Sequence, residues 1–441
     1  MLVAPTSLEA SPDFTGALAD EAAPPERQRD AAAVTATKEI IFINRFFYPD
    51  RSATGQLLSD LAFHLARSGH LVQVITSRQL YDDPNADLAE RESVDGVAIH
   101  RVFTTRFGRA SPIGRGFDYL SFYPSVWRSI LALARPGAIL VAKTDPPLLS
   151  VPALHAVRRR NLRLINWLQD LYPEVAAELG VPLVTGPIGR GLAHLRDRTL
   201  RAAFANVVVG ERMAEVVRSR GVAAARIHVI PNWCDDDHIR PVSPANNRLR
   251  HQWELDGRFV VGYSGNLGRA HEFETVLDAA ELLRDEPRIV FLLIGGGKNF
   301  DELANQARKR KLGAFRFIPY QDRAALKESL SVPDIHWVSL KPELEGLIVP
   351  SKFYGIAAAG RPVLAITGRD GEIARLVRRH QCGMVVEPGS SHVLANALRR
   401  LSADPDALAK MGLRARTMLE THFSRRHAFA SWNRLIDPKI V

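Results

Sequence analysis

The chain has 441 residues, which is too long for one compact domain and makes two domains of about 200 residues each the first expectation. Its composition, 46% hydrophobic and 24% charged, is typical of a globular protein, and no apolar run approaches the ~18 residues that a membrane-spanning helix needs. The net charge of +10 divides into −4 over residues 1–37 and +7 over each of 38–235 and 236–441. Such diffuse charge argues against nucleic-acid binding and favours anionic small molecules or an anionic membrane surface.

The first 37 residues are predicted to be a disordered tail, because they are rich in Ala, Pro, Asp and Glu and have no helical or strand periodicity. They also lack the basic start and apolar core of a secretory signal. The two cysteines, Cys234 and Cys382, lie far apart and form no CxxC pair, which indicates a reducing compartment. We therefore expect a cytoplasmic protein.

From Lys38 onward, short apolar runs alternate with stretches of helical spacing, such as the one at 55–69. This alternation predicts a parallel sheet with helices on both faces. The predicted strands of the first half are EIIFIN (39–44), LVQVIT (71–76), AILVA (138–142), LRLINW (162–167), ANVVVG (205–210) and IHVIPN (227–232).

The same alternation restarts after residue 258, so the second half is predicted to form a second doubly wound unit. Its strands are FVVGYSG (259–265), RIVFLLIGGG (288–297), FRFIP (315–319), IHWVSL (335–340), PVLAI (362–366) and GMVVEP (383–388). The resulting domains span 38–235 and 236–423, and a last helical pattern within 424–441 is expected to pack back on the first domain. Ligands bind beyond the carboxyl ends of parallel strands, so two such sheets that face each other would form a deep cleft.

Three loops that follow strands in the second half have the pattern of anion sites: GYSGNLGRAHEFE (262–274), GGGKN (295–299) and EGLIVPSKFYGIAAAGRPV (345–363). In the third, Pro350 and Ser351 signal a helix start, because a serine side chain caps free backbone N–H groups. The N–H groups and dipole of a helix start attract phosphate, and Lys352 adds a positive charge. Glycine turns after strands are common, and a lone glutamate is usually a solvated loop acid. The run DDDH (235–238) is interpreted as a solvated hinge, because three consecutive acids point in different directions.

These stretches resemble the retaining glycosyltransferases of family four, and most of all the bacterial branch that builds exopolysaccharide and lipopolysaccharide. The resemblance covers roughly residues 38–425 and implies the GT-B fold, an α/β architecture of two facing Rossmann-like domains with doubly wound parallel sheets. It is carried, in order, by FFYPDRSATGQLLSDLAFHLARSGHLVQVITS, WLQDLYPE, IPNWCD, YSGNLGRAHEFETVLDAAELL and EGLIVPSKFYGIAAAGRPV.

The resemblance implies transfer of a sugar, with retained anomeric configuration, from a nucleotide-sugar donor to a glycan or polyprenyl-linked acceptor. A UDP-sugar is favoured over a GDP-sugar, and no metal or other cofactor is expected. Glu345 matches the glutamate that contacts the donor sugar, and Asp170 matches an acidic position that faces the reaction centre. The remaining candidates for contacts with the donor are Gly265, Asn266, Arg269, Phe317, Gly346, Leu347, Ile348, Ser351, Lys352 and Glu372, with Thr54 and Gly55 in the loop near the diphosphate and acceptor.

The sequence departs from the family pattern in two places. The usual arginine and lysine that clamp the phosphates fall near Asn266 and His271, so Arg269 or Lys352 would have to supply the charge. The second glutamate of the family motif, which holds the ribose, falls at Gly355, and Glu372 is the candidate replacement.

The segment 101–135 combines arginines with aromatic residues and holds one acid, Asp118. This pattern is typical of a membrane-interface surface, on which a lipid-linked acceptor would be presented, or of a core helix beside a solvated basic loop. A second basic stretch, 186–201, would extend such a surface. The residues concerned are Arg101, Arg106, Arg109, Arg115, Arg128 and Arg135, with Phe107, Phe117, Tyr119, Phe122, Tyr123 and Trp127.

Two other functions remain open at this point. A sugar-nucleotide 2-epimerase of similar fold would need paired acids in the cleft, and only Asp170 and Glu345 are candidates. A non-catalytic partner in a glycan-assembly complex would explain Gly355 and the weak phosphate clamp.

Overall fold

The structure, a computed structural model, describes residues 37–108 and 112–438. The predicted disordered tail therefore lies outside the described residues apart from Thr37. The first sheet has the order β3-β4-β2-β1-β5-β6-β7-β8, parallel throughout except for the β3–β4 pair. Its strands are β1 Glu39–Ile43, β2 Leu71–Ser77, β3 Arg91–Val94, β4 Val97–Val102, β5 Ile139–Ala142, β6 Arg163–Leu168, β7 Ala205–Val208 and β8 Ile227–Val229.

Helices cover this sheet because each has an apolar stripe. In α1, for example, Leu58, Leu61 and Leu65 are buried, and Ser52 caps the first turn by accepting a hydrogen bond from the N–H of Gly55. The helices of this domain are α1 Ala53–Arg67, α2 Pro112–Leu133, α3 Ser150–Arg160, α4 Glu174–Glu178, α5 Gly186–Ala202 and α6 Glu211–Ser219.

The second sheet is wholly parallel, with the order β11-β10-β9-β12-β13-β14. Its strands are β9 Phe259–Asn266, β10 Ile289–Gly296, β11 Phe315–Ile318, β12 Ile335–Ser339, β13 Val363–Ile366 and β14 Gly383–Val386. The helices are α7 Arg248–Gln252, α8 Glu274–Leu282, α9 Lys298–Lys309, α10 Leu326–Ser331, α11 Lys352–Ala358, α12 Glu372–His380, α13 Ser391–Ser402, α14 Pro405–Met418 and α15 Arg425–Ile436. The prediction of two doubly wound α/β domains is confirmed.

The antiparallel hairpin of β3 and β4 was not predicted. Its turn is Asp95-Gly96, with φ of +48° and +79°, which is the geometry that an Asp-Gly pair favours between two strands. The Asp-Gly pair between two short runs was the signal available in the sequence.

The strand order reverses between β1 and β5 in the first sheet and between β9 and β12 in the second. Loops on either side of such a reversal leave a crevice at the carboxyl edge of the sheet. The loops that follow β1, β5, β9 and β12 are therefore where a ligand is expected to bind.

The last helix, α15, packs on the first domain. Trp432 is buried with its ring 4.9 Å from that of Trp167, and the ring of Phe429 stacks on His64 at 4.3 Å. The prediction that the acids at 235–238 form a solvated hinge is wrong for Asp235. Its carboxylate pairs with Arg323 at 3.1 Å and with Arg425 at 3.4 Å. A chain segment of the second domain is thus anchored to the first.

No helix in 37–108 or 112–438 combines the length and the apolar character needed to cross a bilayer.

Candidate functional site

The loops that carry the two predicted catalytic acids meet across the domain boundary. The N–H of Leu171 donates to the carbonyl of Leu347 at 2.9 Å, and Asp170 and Ile348 form an isolated β-bridge. Gly346 has φ +78°, and a Cβ there would lie 3.0 Å from Val216 of the first domain. This position needs both the left-handed backbone and the missing side chain of glycine.

The carboxylate of Glu345 is held by the second domain. It accepts hydrogen bonds from the hydroxyl of Thr367 and, at 3.2 Å, from the backbone N–H of Glu372. Burial raises the pKa of Glu345, and the nearby carboxylate of Glu372 raises it further, while the bond from Thr367 opposes both. A Cβ at Gly371 would lie 2.1 Å from Oε1 of Glu345, so the carboxylate fills the space that this glycine leaves.

The side chain of Glu372 points to the first domain. It accepts the backbone N–H of Arg212 at 2.9 Å and thereby caps α6, whose N-cap residue Gly210 has no side chain to do so. Arg375, one turn along α12, pairs with Glu215 of α6 at 2.9 Å. In this arrangement the carboxylate joins the two domains, and its contact with a ribose stays a prediction.

Asp170 interacts electrostatically with Lys143 and Asp145, two residues that were not predicted to belong to the site. Burial raises its pKa to about 7, with repulsion from Asp145 adding to the shift and attraction by Lys143 opposing it. Lys143 is buried; its Nζ donates to the carbonyl of Thr54 at 2.9 Å and lies 3.7 Å from the ring centre of Trp167. Burial lowers the pKa of Lys143 to about 7. Lys143 and Asp145 follow the apolar strand β5 directly, and this position was the available signal.

The amine of Lys352, the first residue of α11, lies against the end of β9 in the predicted phosphate region. Nζ of Lys352 contacts the hydroxyl of Tyr263 and lies 3.4 Å from the carbonyl of Asn266. Gly265 beside it has φ +113°. Burial lowers the pKa of Lys352 well below its usual range. An anionic group that arrived here would restore the charge on this amine.

The other two candidates near the missing clamp behave differently. Arg269 is exposed and its guanidinium reaches the carbonyl of Leu179 in the first domain, at 3.5 Å. His271 bonds through Nδ1 to the carbonyl of Ser339 at 2.6 Å, and burial, with Lys352 nearby, lowers its pKa to about 3. His271 is therefore neutral near pH 7.

The predicted capping role of Ser351 is wrong. Its backbone is helical, with φ −65° and ψ −21°, and its side chain makes no capping hydrogen bond to α11. The helix itself has only seven residues. The Pro350-Ser351 pair correctly predicted that a helix starts here, but the predicted hydrogen bond from a backbone N–H to the Ser351 side chain does not form.

The remaining candidates lie around these clusters. The side chain of Phe317 is half-buried against the core of the second domain, with its ring centre 5.5 Å from that of Phe300, and the residue lies one position before the end of the edge strand β11. Thr54 lies at the start of α1, bound to Lys143 through its carbonyl. Gly55 is buried, and a Cβ there would lie 2.9 Å from Oγ of Ser52.

Comparisons with known proteins bear on the family and the fold of the chain. Residues 53–233 match the family described as "Glycosyl transferase 4-like domain", and residues 246–418 match "Glycosyl transferases group 1". The chain is 28% identical over 369 residues to the "Putative colanic acid biosynthesis glycosyl transferase WcaI" of Escherichia coli, covering 80% of this chain and 89% of that protein.

Two further likenesses are informative. A "GDP-mannose-dependent alpha-mannosyltransferase" of Mycobacterium tuberculosis is 27% identical over 231 residues, covering 52% of this chain and 56% of that one. The solved structure of Anabaena Alr3699/HepE "in complex with UDP and glucose" superposes with a TM-score of 0.68 at 16% identity, covering 91% of this chain and all of that one. The chain therefore belongs to the family-four glycosyltransferases and is an enzyme with the GT-B fold.

Proposed function

We propose that this glycosyltransferase moves a sugar, with retention of configuration, from a nucleotide-sugar donor to a glycan or lipid-linked acceptor in cell-surface polysaccharide biosynthesis. The observation that carries the proposal is the meeting of the loops of Asp170 and Glu345, joined by the Leu171–Leu347 backbone bond at the carboxyl ends of both sheets. A UDP-sugar is the favoured donor and a GDP-sugar the second choice. The names of the relatives support both classes, since one uses GDP-mannose and HepE was solved with UDP.

In the proposed reaction the acceptor hydroxyl attacks the anomeric carbon from the face that the diphosphate leaves. The bond between the anomeric carbon and the phosphate oxygen breaks, the new glycosidic bond forms, and the hydroxyl proton passes to the departing phosphate. Lys352 would balance the charge of the diphosphate, and Glu345 would accept hydrogen bonds from the sugar hydroxyls. This scheme requires no protein nucleophile, divalent metal or other cofactor.

A thermal-shift panel of UDP, GDP and their common sugar conjugates tests the donor class. We expect a rise in Tm with one base and not the other, because a ligand that binds only the folded state stabilises it. No response to any member would favour a non-catalytic role. Unchanged turnover in Glu345→Gln would show that the main site assignment is wrong.

We also propose that the first domain rests on an anionic membrane surface on the cytoplasmic side. One face of α2 exposes Ile113, Phe117 and Leu120 by 75%, 54% and 65%, while Phe122 and Val126 further along the helix are buried. Segment 101–135 therefore contains both a core-packed part of α2, as the core-helix interpretation predicts, and an exposed apolar face, as the membrane-interface interpretation predicts.

The basic residues around this apolar face differ in availability. Arg115, on the same helix, is half-exposed and Arg128 is exposed. Arg101 is buried and bonded to Glu92, so it cannot contribute as predicted, and Arg106 pairs with Asp87 at 2.5 Å. Arg109 lies outside the described residues.

Vesicle flotation tests the membrane proposal. We expect the protein to float with phosphatidylcholine vesicles that contain phosphatidylglycerol, and the double variant Phe117→Ser with Arg115→Glu to stay in the dense fraction. A surface variant on another helix, Arg308→Glu, is the control for lost charge. Undiminished flotation of the double variant would contradict the proposal.

A further inference from the structure

A cavity of about 380 Å³ lies at the carboxyl ends of β1, β2 and β4 in the first domain, and none of the donor contacts above uses it. Its volume falls within the range of about 300–1,000 Å³ found for small-molecule sites. A larger cavity, about 930 Å³, lies beside α15 at the amino ends of β6 to β8, on the opposite edge of the sheet from Asp170. Only the smaller cavity is on the edge where the chemistry is proposed.

Aromatic rings form much of its wall. Phe46 and Tyr81 meet edge to face with ring centres 5.6 Å apart, and Phe107, which is 60% exposed, lies at the rim. Phe46 is buried and has the guanidinium of Arg45 5.2 Å from its ring centre, so the half-buried Tyr81 and the exposed Phe107 are the rings that can offer a face to a ligand. Such a face packs against the C–H side of a pyranose while leaving its hydroxyls free for hydrogen bonds. Asp82 lies on the same wall, is exposed, and forms no ion pair with any residue in the described part of the chain.

The charge of the cavity decides which ligand it suits. Among the lining residues that the structure describes, the one cation is Arg45, which is buried and neutralised by Asp118, with Nη2 and Oδ2 2.8 Å apart. The same guanidinium donates to the amide oxygen of Gln79 at 3.2 Å. With this cation paired and the Asp82 carboxylate exposed, a phosphate or an acidic sugar would be repelled. A neutral, hydroxyl-bearing ring would find both an apolar wall and an acceptor for its hydroxyl protons.

The position of the cavity links two regions already described. At its inner end the N–H of Arg45 donates to the carbonyl of Asp145 at 2.6 Å, and Asp145 interacts electrostatically with Asp170. At its rim the ring of Phe107 lies 5.9 Å from that of Phe117, on the exposed face of α2. The cavity therefore lies between the proposed membrane surface and the proposed reaction centre.

We infer that this cavity binds a neutral sugar ring of the acceptor, the lipid part of which lies along the α2 face. The inference rests on the proposed function and narrows it. The acceptor must already carry a neutral sugar, so the enzyme consumes the product of an earlier glycosyl transfer to the lipid carrier and does not glycosylate a bare lipid phosphate.

Saturation-transfer NMR on the full chain, saturated with its nucleoside diphosphate, tests the inference with methyl glycosides as probes. We expect binding of at least one of methyl glucoside, galactoside, mannoside and fucoside, and none of methyl glucuronide. Asp82→Asn should raise the Kd of that glycoside at least about tenfold, the effect of losing a hydrogen bond to a charged group. Tyr81→Ala, tested separately, should raise it about two- to tenfold, the effect of losing a stacking face. Asp83→Asn, which alters the neighbouring exposed acid, should leave it unchanged.

The possible failures are distinguishable. If the protein binds a nucleoside diphosphate but no neutral glycoside, or binds the glucuronide as well, the inference is overturned and the proposed function stands. The same holds if both variants bind the glycoside like the unaltered chain. If neither nucleotide nor glycoside binds, the proposed function fails together with the inference.

Discussion

The substitution Gly371→Ala tests the role of Glu345 by displacing its carboxylate while leaving the residue itself unchanged. Gly371 has φ −62° and ψ 157°, which alanine adopts freely, so the backbone tolerates the change. The new Cβ would lie 2.1 Å from Oε1 and 2.5 Å from Cδ of Glu345. The carboxylate must therefore move by about 1.3 Å to reach ordinary contact distance, and it loses its bonds to Thr367 and to the N–H of Glu372.

A displacement of about 1 Å at a reacting centre can cost about 100-fold in rate, which corresponds to about 2.7 kcal/mol. We expect this loss in kcat/KM, measured as release of nucleoside diphosphate from the donor that the thermal-shift panel identifies. The free energy of unfolding should fall by about 1–3 kcal/mol, because the half-buried carboxylate of Glu345 loses two hydrogen bonds, so the rate is measured well below the Tm of the variant.

The matched control is Gly368→Ala in the same loop. Its Cβ would lie 3.7 Å from Cγ of Glu345, an ordinary contact, so activity should remain within about twofold. Full activity of Gly371→Ala would refute the reasoning, because it would mean that the position of the Glu345 carboxylate does not matter. Equal losses in both variants would trace the effect to the loop rather than to Glu345.

Three further predictions follow from the charges in the cleft. We expect the reaction to use the ionised form of Asp170, so kcat/KM should fall as the pH drops through about 7. Asp145→Asn removes a charge that raises the pKa of Asp170 and should move this fall to lower pH, whereas Lys143→Met removes a charge that lowers the pKa and should move it to higher pH. Profiles of kcat/KM against pH measure both shifts. The pKa of Lys352 is lowered in the free protein, and a bound diphosphate should raise it. Diphosphate binding should therefore take up a proton and weaken as the pH rises. Calorimetry in buffers of different ionisation enthalpy measures this proton uptake, and Lys352→Met should abolish the uptake. Treatment with EDTA should leave the rate unchanged, and a loss restored by Mg²⁺ would contradict the proposed scheme.

Local patterns were sufficient to predict where the site would be sought. Alternating apolar runs and helical spacings identify parallel sheets, and parallel sheets place their ligand loops at the carboxyl ends of strands. The loops at Asp170, Asn266 and Glu345 follow strands in this way, and in the structure the first and third of them meet.

Individual contacts were less predictable. The wrong capping role of Ser351 and the missed Lys143 have a common cause: both depend on the direction in which a side chain points once the elements have packed. The type of a residue predicts the local conformation of the backbone, but it does not predict which group its side chain contacts in the folded protein.

The sequence by itself determined the fold class, the positions of most strands and helices, and the family, because these follow from short-range periodicity and from motifs in a specific order. Only the tertiary structure decided that Glu372 caps a helix of the other domain, that one face of α2 is exposed, and that a neutralised Arg45 closes the inner end of a cavity. The N–H of Arg212 is 160 positions from the carboxylate that it binds. Contacts over such separations form only when two domains pack together, so no local pattern carries them.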